Sequence, residues 1–349
     1  MLALVKESSK PREAAVSEVP DPQPGDDDVV IAIEACGICG SDLTFYDDPE
    51  SLAKELGITF PVLFGHEFAG RIAYVGANVA DLAVGDLVTA NPHLFCGVCR
   101  FCRDDRPEIC ENRPIIGWHR PGGFAELVAV RASNVYPLSP AIPATVAALG
   151  EPLAVGVHAV RRADFEPGSV ALVIGPGPIG LLIGLACQEA GAKRVVVAGL
   201  GADAMRLDVA RAIGLETAVI GDPASVGRLN ESLERDVSVT VFEASGAPDG
   251  IRTALELAPK DGKVLVLGIP HDLVPINIAA LAFAEKQLIG CRGFAPRDWT
   301  RSVEIIERRT EDLGRLVTSK LPLADHDAAF QSLRERTAIK IMLSAKPHS

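Results

Sequence analysis

The 349-residue sequence has no surplus of positive charge: 34 lysines and arginines stand against 46 aspartates and glutamates, a formal net charge of −12. A field of that sign repels phosphate backbones and anionic lipid, so neither nucleic acid nor a membrane surface is an expected partner. An unbroken apolar run long enough to span a bilayer is also missing. The nearest, Val170 to Cys187, carries no charge over eighteen residues, but Gly175, Pro176, Gly177 and Pro178 interrupt it. They would break a spanning helix and leave backbone groups unpaired in lipid, so the run reads as buried strand, tight turn and helix. The opening "MLALVKESSKPREAAV" lacks the apolar core and small-residue cleavage site of an export signal, which points to the cytoplasm. Internal repeats and low-complexity tracts are absent too. Cysteine is scarce, eight in all, yet four of them fall within the fifteen residues "CGVCRFCRDDRPEIC".

What is present is an ordinary globular balance, 48% hydrophobic and 23% charged, in a chain long enough for about two domains. Up to about residue 136 the texture is short strand-like runs between Gly, Pro and Asp: "DVVIAIEAC", "FAGRIAYVG", "GDLVTA", "GFAELVAV". It changes near residue 144 to the Ala-rich, helical "ATVAALGEPLAVGVHAVRRA". Strand and helix patterns then alternate: "VALVIG", "PIGLLIGLACQEAG", "RVVVAG", "MRLDVARAIG", "VTVFEASG", "GIRTALELA", "KVLVLG". Such alternation predicts a parallel sheet with crossover helices, following a β-rich domain. After "KQLIGC" the pattern is mixed, and the tail is expected to return to the first domain.

"GPGPIG" at 175–180 matches the dinucleotide fingerprint G-x-G-x-x-G, and it lies between a strand and a helix as that mechanism requires. Gly175 allows the tight turn, Gly177 lets backbone approach a pyrophosphate, and Gly180 lets the helix pack close to the strand. Pro178 and Ile179 open the helix, whose free N–H groups and dipole face the phosphates. The acid that usually selects NAD at the end of the second strand is lacking, for Gly199 stands there. Asp203 and Arg206 follow: one suits a ribose 2′-hydroxyl and the other a 2′-phosphate, so both NAD and NADP stay open.

Cys96, Cys99, Cys102 and Cys110 give C-x2-C-x2-C-x7-C, a spacing at which four thiolates wrap one zinc in a closed, structural site. In a reducing compartment this reading outweighs a pair of disulfides. Arg100, Arg103 and Arg106, interleaved in the same loop, would offset the anionic cluster. A second set is dispersed: Cys39, Ser41 and Asp42 in "ACGICGSD", His66 and Glu67 in "FGHEFAG", and Glu151 in "GEPLAVGVHA". One thiolate, one imidazole and one carboxylate make a sensible catalytic zinc site with an open fourth place. Asp42 suits the outer-shell carboxylate that takes the second ring N–H of His66. Phe45, Tyr46, Trp118 and Phe294 are candidates to line a substrate pocket.

Taken in order, "CGICGSD", "GHEFAG", "VGANVADLAVGD", the four-cysteine lobe, "EPLAV" and "GPGPIG" resemble the zinc-dependent medium-chain alcohol and polyol dehydrogenases over essentially the whole chain. The glutamate of "EPLAVGVHA" is similar to the sorbitol, threonine and butanediol dehydrogenase branch. The resemblance implies a GroES-like catalytic domain of residues 1–153 completed by 292–349, and a Rossmann NAD(P)-binding domain of residues 154–291. It implies a catalytic zinc on Cys39, His66 and Glu151, with Glu67 able to approach it, and a structural zinc on the four cysteines. Ser41 would start the proton relay; Thr44 stands where many relatives carry a histidine. The expected activity is hydride transfer between a secondary alcohol or its ketone and NAD(P), in a homodimer or homotetramer. The competing expectation is a zinc- and nucleotide-binding redox sensor on the same fold.

Overall fold

The computed structural model describes residues 1–345 apart from 235, 237 and 271. The chain separates into two compact units: Met1–Glu151 together with the segment from Ser302 onward, and Pro152–Arg301.

The first unit is built on β structure. Strands β1 (Leu2–Lys6), β2 (Ala15–Glu18), β3 (Asp28–Gly37), β4 (Val62–Leu63), β5 (Glu67–Val75), β6 (Leu87–Ala90), β7 (Leu127–Arg131) and β8 (Val135–Pro137) come from its first part. The second unit supplies β9 (Val170–Ile174), β10 (Arg194–Gly199), β11 (Glu216–Val219), β12 (Val239–Glu243), β13 (Lys263–Val266) and β14 (Gln287–Gly290). The chain then returns to the first unit with β15 (Val317–Pro322) and β16 (Lys340–Ser344). In the first unit, a sheet runs β15-β16-β3-β5-β6-β8 with β7 also on β3, beside a small β2-β1-β4 sheet. Ile31, Ile33, Phe64, Phe68, Val128 and Phe330 lie in its core.

The second unit is one six-stranded sheet in the order β11-β10-β9-β12-β13-β14, every pairing parallel. Strand β9 reads VALVI and is buried throughout, as expected for a central parallel strand covered on both faces. Helices such as Pro178–Glu189, Ala204–Ala212 and Pro248–Leu257 provide the crossovers. The order reverses beside β9, which places a ligand crevice outside the carboxyl ends of β9 and its neighbours. This is the doubly wound Rossmann architecture predicted from the alternating pattern.

Candidate active site

Sheet register gathers the dispersed residues of the first unit. Gly37 pairs with Glu67 across β3 and β5, so the residues beyond β3 and before β5 emerge at one end of the sheet. Cys39 is there the N-cap of the Gly40–Asp47 helix, and His66 immediately precedes β5. Donor atoms of Cys39, His66 and Glu67 lie within 4.8 Å of one another. Glu151, the second residue of the Gly150–Arg162 helix, is buried and stands outside that trio. Its carboxyl nevertheless feels the others: burial pushes it up to about 7, with His66 pulling it down and Glu67 adding to the rise.

Asp42 has two tasks. One oxygen accepts the Cys39 backbone N–H at 2.9 Å, closing the helix N-terminus around the thiol. The other faces His66 Nδ1 at 3.4 Å, and both of these buried atoms otherwise lack a hydrogen-bond partner. Burial alone would lower the imidazole pKa; Asp42 and then Cys39 outweigh it and hold it well above its ordinary value. The result is an acidic cage with one half-buried thiol, one buried imidazole oriented by a carboxylate, and two further buried carboxylates. Mixed S, N and O donors in that number fit zinc. Ser41 sits partly exposed in the first turn of the same helix, while the Thr44 hydroxyl donates to Gly40 O at 3.2 Å.

Of the four aromatic pocket candidates, only Trp118 meets this site, edge-on to the His66 ring at 5.4 Å. Phe45 stacks with Phe60, Tyr46 with Phe330, and Phe294 packs on Trp299; these three are core residues. One participant is missing from the sequence reading. Lys340 of β16 places its ammonium on both oxygens of Glu67, at 2.8 and 2.7 Å. Its only sequence signal is a lone charge inside the apolar "AIKIML".

The four clustered cysteines are all free thiols, and their sulfurs gather within 4.8 Å of one another. Cys96 and Cys102 sulfurs are 3.9 Å apart, as are those of Cys99 and Cys110. A tetrahedron with zinc–sulfur bonds of about 2.3 Å has edges of about 3.8 Å, whereas a disulfide requires about 2.05 Å. The lobe therefore fits zinc. Backbone N–H groups of Glu111 and Cys102 push the Cys99 thiol down to about 6, ready to bind as thiolate. Two of the interleaved arginines turn to carboxylates: Arg100 pairs with Glu111 and Arg106 with Glu108.

In the second unit Gly175 follows β9 with φ of 102°, and a Cβ there would lie 2.8 Å from Ser245 N. A Cβ on Gly180 would lie 2.0 Å from Gly175 O, so helix and turn touch as the fingerprint demands. Around Gly177 nothing lies within 4 Å of that position, which leaves the cradle open for a pyrophosphate. Pro178 and Ile179 begin the Pro178–Glu189 helix, and its N-terminus faces that opening. Gly199 closes β10, but its place is filled. A Cβ there would lie 2.8 Å from the Pro176 ring, and the Asp203 carboxylate is also close. Asp203 is buried and accepts Leu200 N–H at 3.0 Å; Arg206 lies half-buried in the first turn of the Ala204–Ala212 helix. Buried Glu243 at the end of β12 accepts from the Ser245 backbone and hydroxyl, holding the loop against which Gly175 packs.

Residues 25–140 match the family model of the alcohol dehydrogenase GroES-like domain, and residues 178–308 match that of zinc-binding dehydrogenase. The sorbitol dehydrogenase of Halalkalibacterium halodurans is 30% identical over 347 residues, 99% of each chain. The chain belongs to the zinc-dependent medium-chain alcohol and polyol dehydrogenases. An L-threonine 3-dehydrogenase of Saccharopolyspora erythraea is 32% identical to this dehydrogenase over 98% of each chain. Among solved structures, a zinc-binding dehydrogenase from Sinorhizobium meliloti bound to NADP matches it with a TM-score of 0.87 at 28% identity, over 98% of each chain. The dehydrogenase is thus an oxidoreductase acting on CH–OH donors with zinc and NAD(P) as cofactors, and the sensor alternative falls away. Among the described residues, no helix is long and apolar enough to cross a membrane.

Proposed function

We propose that this dehydrogenase oxidises a secondary alcohol bearing a neighbouring hydroxyl or amino group, a polyol, vicinal diol or hydroxy amino acid, and reduces the corresponding ketone. The carrying observation is half-buried Cys39 with buried His66 and Glu67, their donor atoms within 4.8 Å, joined by Asp42 and Glu151 in the same unit. Sorbitol and L-threonine, in the names of its relatives, are both secondary alcohols of this kind.

Cys39, His66 and Glu151 hold the catalytic zinc in this reading, with Glu67 beside them. The other four cysteines hold the structural zinc. When bound, zinc supplies Lewis acidity at the substrate oxygen, and the nicotinamide accepts or returns the hydride. Asp42 fixes the His66 ring through Nδ1, so that Nε2 is the free donor. Ser41, at the open end of its helix, receives the hydroxyl proton and passes it to solvent. Thr44 is turned back on Gly40 O and does not extend that relay. The second unit binds the dinucleotide with Gly175, Gly177 and Gly180 shaping the cradle and Pro178 and Ile179 opening the phosphate-facing helix; Gly199, Asp203 and Arg206 border the ribose.

A cytoplasmic setting suits four reduced cysteines in one loop. Self-association, as a dimer or tetramer, suits the second unit. There β14 is a sheet edge, Leu288 on it is exposed, and Leu273 and Phe283 nearby in sequence are 97% and 90% exposed. The test of the substrate class is a panel of polyols, vicinal diols and L-threonine with NAD and NADP, read by nicotinamide absorbance. Turnover confined to primary alcohols refutes it.

A further inference from the structure

Strand β16 carries its single charge at Lys340, whose side chain is 2% exposed. All three of its N–H bonds are placed: on Ile38 O at 2.9 Å and on the two Glu67 oxygens at 2.8 and 2.7 Å. Glu67 is fully buried. The room for its carboxylate is made by Gly37, where a Cβ would lie 2.3 Å from Glu67 Oε2. Gly37 pairs with Glu67 on one side and with Met342 of β16 on the other, so three strands build one slot around this ion pair. A buried ion pair is seldom retained for stability alone, since apolar replacements of similar volume often serve the fold as well.

Its position suggests a different reason. Ile38 directly precedes Cys39, and Glu67 directly follows His66. Lys340 thus touches the backbone of one metal-binding loop and the carboxylate next to the other. Around a divalent cation, the Cys39 thiolate and the carboxylates of Asp42, Glu67 and Glu151 sum to two excess negative charges; the ammonium cancels one of them. Glu67 oxygen is also near enough to Cys39 and His66 to join them on a metal.

We propose that Lys340 is a positioning residue of the metal centre: it grips Glu67 by both oxygens, keeps that carboxylate beside the metal rather than on it, and so preserves a coordination place for the substrate oxygen. This rests on the zinc reading given above. Lys340→Met removes the ammonium and keeps an unbranched stem of nearly the same length. Released Glu67 then becomes a metal ligand, so zinc is held more tightly, on the order of tenfold or more, as expected when a like charge is removed from beside a cation in a low-dielectric site. Competition with a chromophoric chelator reads that change. In the cobalt-substituted protein the visible absorption falls as the metal gains a ligand, and turnover falls with it. Adding Glu67→Gln restores the cobalt spectrum, because an amide is a poor ligand. A purely structural ion pair predicts the reverse, looser zinc in Lys340→Met. That outcome, or an unchanged zinc affinity and cobalt spectrum, overturns the proposal. If Lys340→Met yields no folded protein, Lys340→Gln, whose amide can still donate to Ile38 O, answers by the same two measurements. Metal counts separate the two levels. Two zincs in the wild type and one in Cys39→Ser confirm the site, and the Lys340 comparison then bears on Lys340 alone. One zinc in both removes the site and the proposal together.

Discussion

Replacing Asp298 by Asn should weaken the second unit in a pH-dependent way. Asp298, 1% exposed, receives Arg161 Nε on one oxygen at 2.6 Å and Arg161 Nη2 on the other at 3.0 Å. His158 Nδ1 at 2.9 Å and the Ala295 backbone N–H at 2.8 Å complete its shell. Burial alone would raise its pKa; His158, Arg161 and Ala295 outweigh it and bring the carboxyl from 3.8 down to about 2. At about 1.4 kcal/mol per pH unit, the ionised form stabilises the fold by about 2.5 kcal/mol at neutral pH. A carboxyl whose folded pKa is depressed contributes fully above its unfolded pKa, and the contribution fades as pH falls through 3.8 toward 2. The same linkage leaves about 1.3 kcal/mol at pH 3. The assay is urea unfolding followed by the fluorescence of Trp299, adjacent in sequence, in a Trp118→Phe background where it is the sole tryptophan. A loss for Asp298→Asn of the same size at pH 7 and pH 3 would refute the charge argument and leave only packing.

The two metal sites should separate by mutation. Cys39→Ser is expected to lower zinc from two to one per chain and abolish nearly all turnover with the melting temperature little changed, whereas Cys99→Ser should lower both zinc content and melting temperature. At the ribose end, Gly199→Asp should weaken NAD and NADP alike rather than switch preference, because its Cβ would press on the Pro176 ring at 2.8 Å. Gly199→Ala should do the same, and kcat/KM for both cofactors checks it; a selective gain for NAD in Gly199→Asp would show that Pro176 yields. Gly175→Ala should lose dinucleotide binding in a fluorescence titration, since its φ of 102° and the nearby Ser245 N both oppose a side chain.

Much of the architecture was legible because its signals are local. Strand and helix alternation gave the parallel sheet, and the three glycines of "GPGPIG" each have a steric reason visible in the backbone. The four-cysteine lobe is similarly compact in sequence. What escaped depends on register between distant segments. Lys340 meets Glu67 across 273 positions of chain, through a strand pairing that no short pattern reports. Gly199 looked like a vacancy left by a missing acid; only the path of the Pro176 ring shows that the space is taken. The aromatic residues of "SDLTFY" sit close to the zinc motif in sequence, yet Phe45 and Tyr46 follow the helix into the core.

The slot formed by Gly37, Glu67 and Lys340 also constrains how relatives of this chain can diverge. A first step at position 37 sets a methyl group 2.3 Å from the Glu67 carboxylate. A first step to a neutral residue at 340 frees that carboxylate to turn on the metal, and an apolar first step at 67 strands a buried ammonium. Each substitution should be harmful alone and better tolerated in the company of another. The three positions therefore behave as one inherited character: a valley in the fitness landscape surrounds them, and a mutational library that varies them singly would score each as intolerant while missing the combinations that are not.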